Sequence, residues 1–113
     1  MKQQYRLRRN RDFQRVRRIG KSRASPLLVL AFLQNEIGHS RFGFVVNKRL
    51  GNAVQRNKIK RRMREAVRLR IETIKPGFDL VVIARKPARN ACYSEISETL
   101  DYLLDAANLS LPN

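Results

Sequence analysis

"RFGFVVNKRLGNAVQRNKIKRRMREAVRLR", residues 41–70, changes its apolar period halfway along and so decides the fold. Over 41–46 the pattern follows a pleat, with Phe42, Phe44 and Val46 on one face and Gly43 and Val45 on the other, which is a strand. Gly51 and Asn52 break that strand, and the Asn52 side chain suits the cap of a helix running through the mid-50s to about residue 71. At about 100° per residue, Ile59, Met63, Ala66 and Val67 gather on one stripe, while Asn57, Lys60, Arg61, Arg64 and Arg68 gather beside it. The first stripe packs on a sheet and the second stays outside.

Working outward, "LLVLAFL" (27–33) is too short for a buried helix and apolar enough for a central strand covered on both faces. "NEIGHS" turns the chain, so 41–46 reads as the antiparallel return strand of a hairpin. Downstream, "KPGFD" is turn chemistry and "LVVIA" (80–84) is a third strand, reached from the second by the helical crossover and ended by Pro87. From Ser94 onward Ile96, Leu100, Leu103, Leu104 and Ala107 recur at helical spacing, with Glu98, Asp101 and Asp105 opposite. Near the start, Asn10 serves as an N-cap, Asp12 favours the first turn, and Phe13, Val16 and Ile19 space a short helix over 11–19 that Gly20 ends. "KSRASP" (21–26) reads as a loop. The order α-β-β-α-β-α is an α+β fold, helices on a small mixed sheet, in one domain over 1–113.

The charge sets the partner. The chain carries 25 Lys+Arg against 9 Asp+Glu, a formal charge of +16, with 42% apolar residues. That apolar content supports a folded core, and the excess of cations asks for a polyanion. Residues 1–23 hold ten Lys/Arg against Asp12, and residues 48–70 hold ten more against Glu65. Residues 90–113 hold none, with Glu95, Glu98, Asp101 and Asp105, so the C-terminal segment faces water. No run approaches the ~20 apolar residues of a membrane span, and no secretory signal follows Met1. The Arg-rich start has the composition of a transit peptide but continues into a capped helical pattern, and reads as part of the fold. A cytoplasmic setting is the expectation, with which the single Cys92 is compatible.

The inventory offers little for catalysis. His39 is the only histidine and sits in a turn, where solvation is its ordinary state, and Cys92 has no partner for a disulfide or an all-cysteine metal site. Four of the nine carboxylates lie on the outward face of the last helix, and no glycine-rich phosphate loop is present. No catalytic or metal-ligand set is therefore assigned, and no small-molecule substrate or membrane is expected.

Residues 56–70 hold eight basic residues and one acid, so the i,i+4 pairs repel unless an anion relieves them. Arginine forks suit bidentate phosphate contacts, and this stretch reads as a helix that tracks a phosphate backbone. Phe13 and Phe44 could stack on unpaired bases, although core packing is the ordinary role of each. Self-repulsion also predicts instability at low salt and stabilisation by sulfate or phosphate bound at discrete sites.

"KRLGNAVQRNKIKRRMREAVR" (48–68) closely resembles the signature of the bacterial ribonuclease P protein subunit: a basic pair, Gly-Asn-Ala-Val, then Arg-Asn-x-x-Lys-Arg and Arg-Glu on a helix. "NRDFQRV" (10–16), "GFVVNKR" (43–49) and "VVIARKPA" (81–88) are similar to its first helix, the strand feeding the signature, and a later strand with its exit. The resemblance covers about residues 6–108. It implies a ribonucleoprotein hydrolase in which the RNA subunit carries the active site and its Mg²⁺, an endonuclease removing the 5′ leader of precursor tRNA. The protein then binds that RNA through Arg56, Asn57, Lys58, Lys60, Arg61, Arg64 and Arg68. A cleft between the first helix and the sheet holds the single-stranded leader, with Phe13 and Val29 as walls. The resemblance also implies a left-handed strand-helix-strand crossover, against the general right-handed rule.

Two departures from the family pattern stand out. Lys58 replaces the last arginine of the usual Arg-Asn-Arg core, losing the planar fork. Arg17 and Ala31 occupy cleft positions where relatives often carry aromatics, which predicts a more salt-sensitive and less base-selective leader site. Two other readings share the composition: an architectural ribosomal protein, and a DNA-compacting protein. Dependence of binding on a 5′ extension separates the first reading from both.

Overall fold

The computed structural model describes residues 1–112. The signature helix, α2 (Ala53–Arg68), starts at Asn52 through a reciprocal cap. The Gln55 N–H donates to Asn52 Oδ1 at 2.9 Å, and the Asn52 N–H donates to Gln55 Oε1 at 2.9 Å. Gly51 ahead of it has φ +135°, and a Cβ there would overlap the Gln55 side chain, so the Gly-Asn pair is dictated by this corner. Ile59, Met63, Ala66 and Val67 are the buried stripe of α2, as their spacing requires.

The other elements are α1 (Asn10–Ile19), β1 (Lys21–Ala24), β2 (Leu28–Gln34), β3 (Arg41–Val45), β4 (Phe78–Ala84) and α3 (Tyr93–Ala106), with short 3-10 turns between several of them. The sheet order is β1-β2-β4-β3; β4 runs antiparallel to β2 and parallel to β3. The fold is therefore mixed α+β, and α2 is the crossover between the parallel neighbours β3 and β4.

Four sequence expectations are corrected. "KSRA" is not loop but β1, an edge strand exposed at all four residues and paired to β2 through a tight corner in which Ser25 N–H donates to the Leu28 carbonyl at 2.8 Å. The element order is thus α-β-β-β-α-β-α. The hairpin partner of β2 is β1, because β4 inserts between β2 and β3. The cause is burial: β2 and β4 carry apolar residues on both faces and take the centre, whereas β3, with Arg41 and Gly43, takes an edge. Finally, α1 is capped by Arg9 without a side-chain bond, so Asn10 is its first residue rather than its cap. The α2 helix ends at Arg68 rather than at about residue 71.

Period-two alternation gives the sheet two apolar faces. Leu28, Leu30, Phe32, Phe42, Leu80, Val82 and Ala84 face α2 and α3 and build the main core with Ile96, Leu100, Leu103 and Leu104. On the opposite face α1 is the one helix laid down among the described residues, seated by Val16 on Ala31 and Val81 with Leu7. Burying Val16, 1% exposed, contributes on the order of 2 kcal/mol to that seat. One short helix cannot cover four strands, so part of this face stays open.

Candidate nucleic-acid interface

The open part follows from strand register. Ala31, Val81 and Gly43 stand side by side across β2, β4 and β3, and so do Val29, Ile83 and Val45 in the next row. The helix α1 lies over the first row; the second is half-buried and forms an apolar floor beside it. Phe13 packs its ring directly on Gly43. Phe13 and Arg17, one turn apart on α1, line a groove of about 410 Å³ whose other walls include Phe44, Val45 and Lys60.

The sequence-assigned leader residues fall into this geometry unequally. Phe13 is half-buried and Arg17 exposed, and both border the groove. Val29 lies on the same face two strands from β3, in the half-open row. Ala31 is only 4% exposed and packs with Leu7, Val16 and Val81, so it is floor beneath α1 rather than a surface for a strand to touch. Val45 and Ile83 were not foreseen. Their signal is the register that puts them in line with Val29, and a sequence does not display it.

On α2 the assigned RNA contacts share an outward sector. Asn57, Lys58, Arg61 and Arg68 are exposed, and Arg56, Lys60 and Arg64 are half-buried along the edge of the helix nearest the sheet. Arg56, Lys60, Arg64 and Arg68 follow one another at intervals of four, a like-charge ladder that costs a few tenths of a kcal/mol per pair in an isolated helix. Glu65 offsets only its end: Arg68 donates to both carboxylate oxygens, at 3.0 and 2.6 Å, and holds the Glu65 carboxyl below the usual range. The Nε of Arg56 is buried without a partner among the described residues, which leaves the guanidinium tips as its outward face. Arg64 extends over the Phe44 ring, its Cζ 5.9 Å from the centroid.

Other cations are structural. Arg62 donates to the Ala91 carbonyl at 3.1 Å. Arg70 binds the Ala66 carbonyl, Ser97 and both oxygens of Asp101, tying α2 to α3. Arg41 makes a two-pronged bond to the buried Asp79, at 2.9 and 2.8 Å, and reaches Asp12 of α1 at 3.8 Å. That pairing with Asp79 keeps Arg41 charged more firmly than usual, against the cost of its partial burial. His39 is not merely solvated: its Nε2 lies 2.9 Å from the Gln4 carbonyl and its ring meets Tyr5 edge-on, so it anchors the N-terminal arm.

The described residues contain no group of three or more His, Cys, Asp or Glu placed to hold a metal ion. No helix among them is long and apolar enough to cross a membrane. The arrangement offers a ridge of cations on α2 and a half-apolar groove beside α1, meeting at Lys60 on the β3 edge. This can bind phosphates and an extended single strand together.

The sequence model of one family, Ribonuclease P, matches residues 1–108. The "Ribonuclease P protein component" of Herpetosiphon aurantiacus is 43% identical over 109 residues, 96% of this chain and 89% of that protein. The RNase P protein of Staphylococcus aureus superposes with a TM-score of 0.86 at 42% identity, over 93% of this chain and 96% of that one. The RNase P protein from Thermotoga maritima gives 0.79 at 38% identity, over 87% and 94%.

Proposed function

The chain belongs to the ribonuclease P protein family, and from that premise we propose that it is the protein subunit of a tRNA-processing ribonucleoprotein endonuclease, acting in the cytoplasm as a single RNA-binding domain. Its partners are the catalytic RNA and precursor tRNA. In this reading the RNA subunit holds the Mg²⁺ and carries out hydrolysis of the 5′ leader bond, and the protein alone is inactive.

The observation that carries the reading is the shared groove: Phe13 and Arg17 of α1 lie across it from Lys60 of α2. A helix bearing Arg56, Asn57, Lys58, Lys60, Arg61, Arg64 and Arg68 binds the phosphates of the catalytic RNA by displacing condensed counterions. The adjoining floor of Val29, Ile83 and Val45 receives the single-stranded leader, with Phe13 and Arg17 at its wall. The protein thereby favours precursor over mature tRNA, since the product has lost the strand that fills the groove. Its charge beside two polyanions also lowers the Mg²⁺ needed for folding and cleavage.

The test is cleavage of 5′-labelled precursor tRNA by a bacterial ribonuclease P RNA at low Mg²⁺, with and without the protein, and by the protein alone. Rescue at the mature 5′ end only when both are present is the expected result. Absence of rescue with a cognate RNA, or equal affinity for tRNAs with and without a leader, overturns the reading in favour of an architectural RNA-binding role.

A further inference from the structure

The outer edge of β3 is paired only at its start. The N-terminal arm crosses it once, where the Leu7 N–H donates to the Phe42 carbonyl at 2.9 Å. Peptide groups of alternate residues point to the same side of a strand, so those of Phe44 face this edge as well, beyond the arm. There the surface sinks into a groove of about 230 Å³ floored by Gly43 and Phe44. Arg6 and Arg8 of the arm stand on its rim, and Lys60 and Arg64 of α2 border it too.

Two features give this groove a chemical preference. Its four cations face no acid: among the described residues none of them has a carboxylate within ion-pair distance. Phe44 is a half-buried ring backed by the main core, and Arg64 lies over its outer face with the Cζ 5.9 Å from the centroid, on a flexible side chain that an entering base displaces outward and beneath which it stacks. A fixed ring with cations around it suits a flat π-system that carries negative charge. The volume lies below the ~300 Å³ at which pockets for drug-sized ligands begin, so it admits one ring system.

We propose that the β3-edge groove is a binding site for one unpaired ribonucleotide, with the base stacked on Phe44 and the adjoining phosphates held by Arg6, Arg8 and Lys60. The proposal rests on the RNA-binding reading above and adds to it a base site at the β3 edge, where this groove adjoins the α1 groove. Both grooves share Phe13, Phe44 and Lys60, so a strand can pass from one to the other around the sheet edge. The nucleotide comes from the leader or from the RNA subunit; the chemistry is the same.

The experiment reconstitutes the protein with a bacterial ribonuclease P RNA and measures two affinities. One is protein for RNA subunit; the other is holoenzyme for precursor tRNAs with an eight-nucleotide and a one-nucleotide leader. Phe44→Leu, which keeps the core filled but removes the ring, should weaken one of them about tenfold, and Phe44→Tyr should restore it. Arg8→Gln, on the exposed arm, should weaken the same one about threefold and reduce its salt slope. A loss in RNA-subunit affinity assigns the nucleotide to that RNA; a loss confined to the long-leader substrate assigns it to the leader. In the wild-type complex, 4-thiouridine at the source so identified should crosslink to the peptide spanning 42–49, a readout that does not depend on any variant folding. The proposal is overturned if folded Phe44→Leu binds as wild type, even where Arg8→Gln is impaired, because that pattern describes an anion site without a base. Missing crosslinks from both RNAs overturn it also. Failure of the wild-type protein to rescue cleavage would instead count against the subunit reading itself.

Discussion

The ring of Phe13 rests on Gly43 so closely that a Cβ on Gly43 would overlap its Cε1 and Cζ. The helix α1 thus approaches the sheet over small residues, Ala31 and Gly43, with Val81 between them. Gly43→Ala forces the ring outward and lifts one end of α1 from its seat. The expected cost is about 1–3 kcal/mol by urea denaturation, the usual range for overpacking. Discrimination between precursor and mature tRNA should fall with it, while affinity for the RNA subunit holds, since α2 is on the other face. Unaltered discrimination in the folded variant would remove Phe13 from the leader wall.

Arg41 joins three elements, holding Asp79 of β4 from its own place on β3 and reaching Asp12 in the first turn of α1. Asp79 is 2% exposed and also accepts from Asn35 Nδ2 at 2.9 Å. Asp79→Ala strands a guanidinium and an amide near the interior, and should cost about 3 kcal/mol. Asp12→Asn should cost less than ~1 kcal/mol, because its contact is longer and wetter. Chemical denaturation of both variants orders the two effects; equal losses would mean that the Asp12 contact anchors the sheet as strongly as the Asp79 bond.

On α3, Asp101 accepts from Arg70, and that bond holds its carboxyl below the ordinary aspartate value, with partial burial pulling the other way. A depressed folded-state pKa contributes stability that is present above the unfolded value of about 3.9 and is lost as pH falls through the folded value. Melting temperatures taken between pH 6 and pH 2.5 should therefore drop less steeply below about pH 4 in Asp101→Asn than in wild type. Parallel curves would show that the Arg70 bond persists in the unfolded chain or contributes nothing.

The residues that announce themselves in the sequence are those whose role is local. Asn52 and Gln55 cap α2 within four residues, the Ile59 to Val67 stripe follows from helical period, and the apolar runs of β2 and β4 mark the sheet centre. What stayed hidden depends on pairing over distance. Lys21–Ala24 has no apolar face to betray a strand; its ladder to β2 alone makes it one. The insertion of β4 between β2 and β3 is set by competition for the buried centre, and six residues, 35–40, suffice to step over the intervening strand. The groove inherits this: Ala31 is covered and Val29 open only because α1 seats over one row of the sheet and not the next.

Arg17 is the side chain with which this chain departs most from an aromatic cleft, and it stands exposed one turn from Phe13 on the groove wall. A cation there holds the leader by its phosphates rather than by its bases, and each phosphate neutralised on a single strand contributes about 0.7 to the slope of log affinity against log salt. Arg17→Ala should therefore weaken binding of a long-leader precursor and flatten its salt dependence by about 0.7, leaving a leaderless tRNA unaffected. Changing the leader sequence should matter little in either protein. Titrations at four salt concentrations decide it: an unchanged slope with weakened binding would mean that Arg17 shapes the groove without touching a phosphate, and strong dependence on leader sequence would return the recognition to Phe13 and the bases.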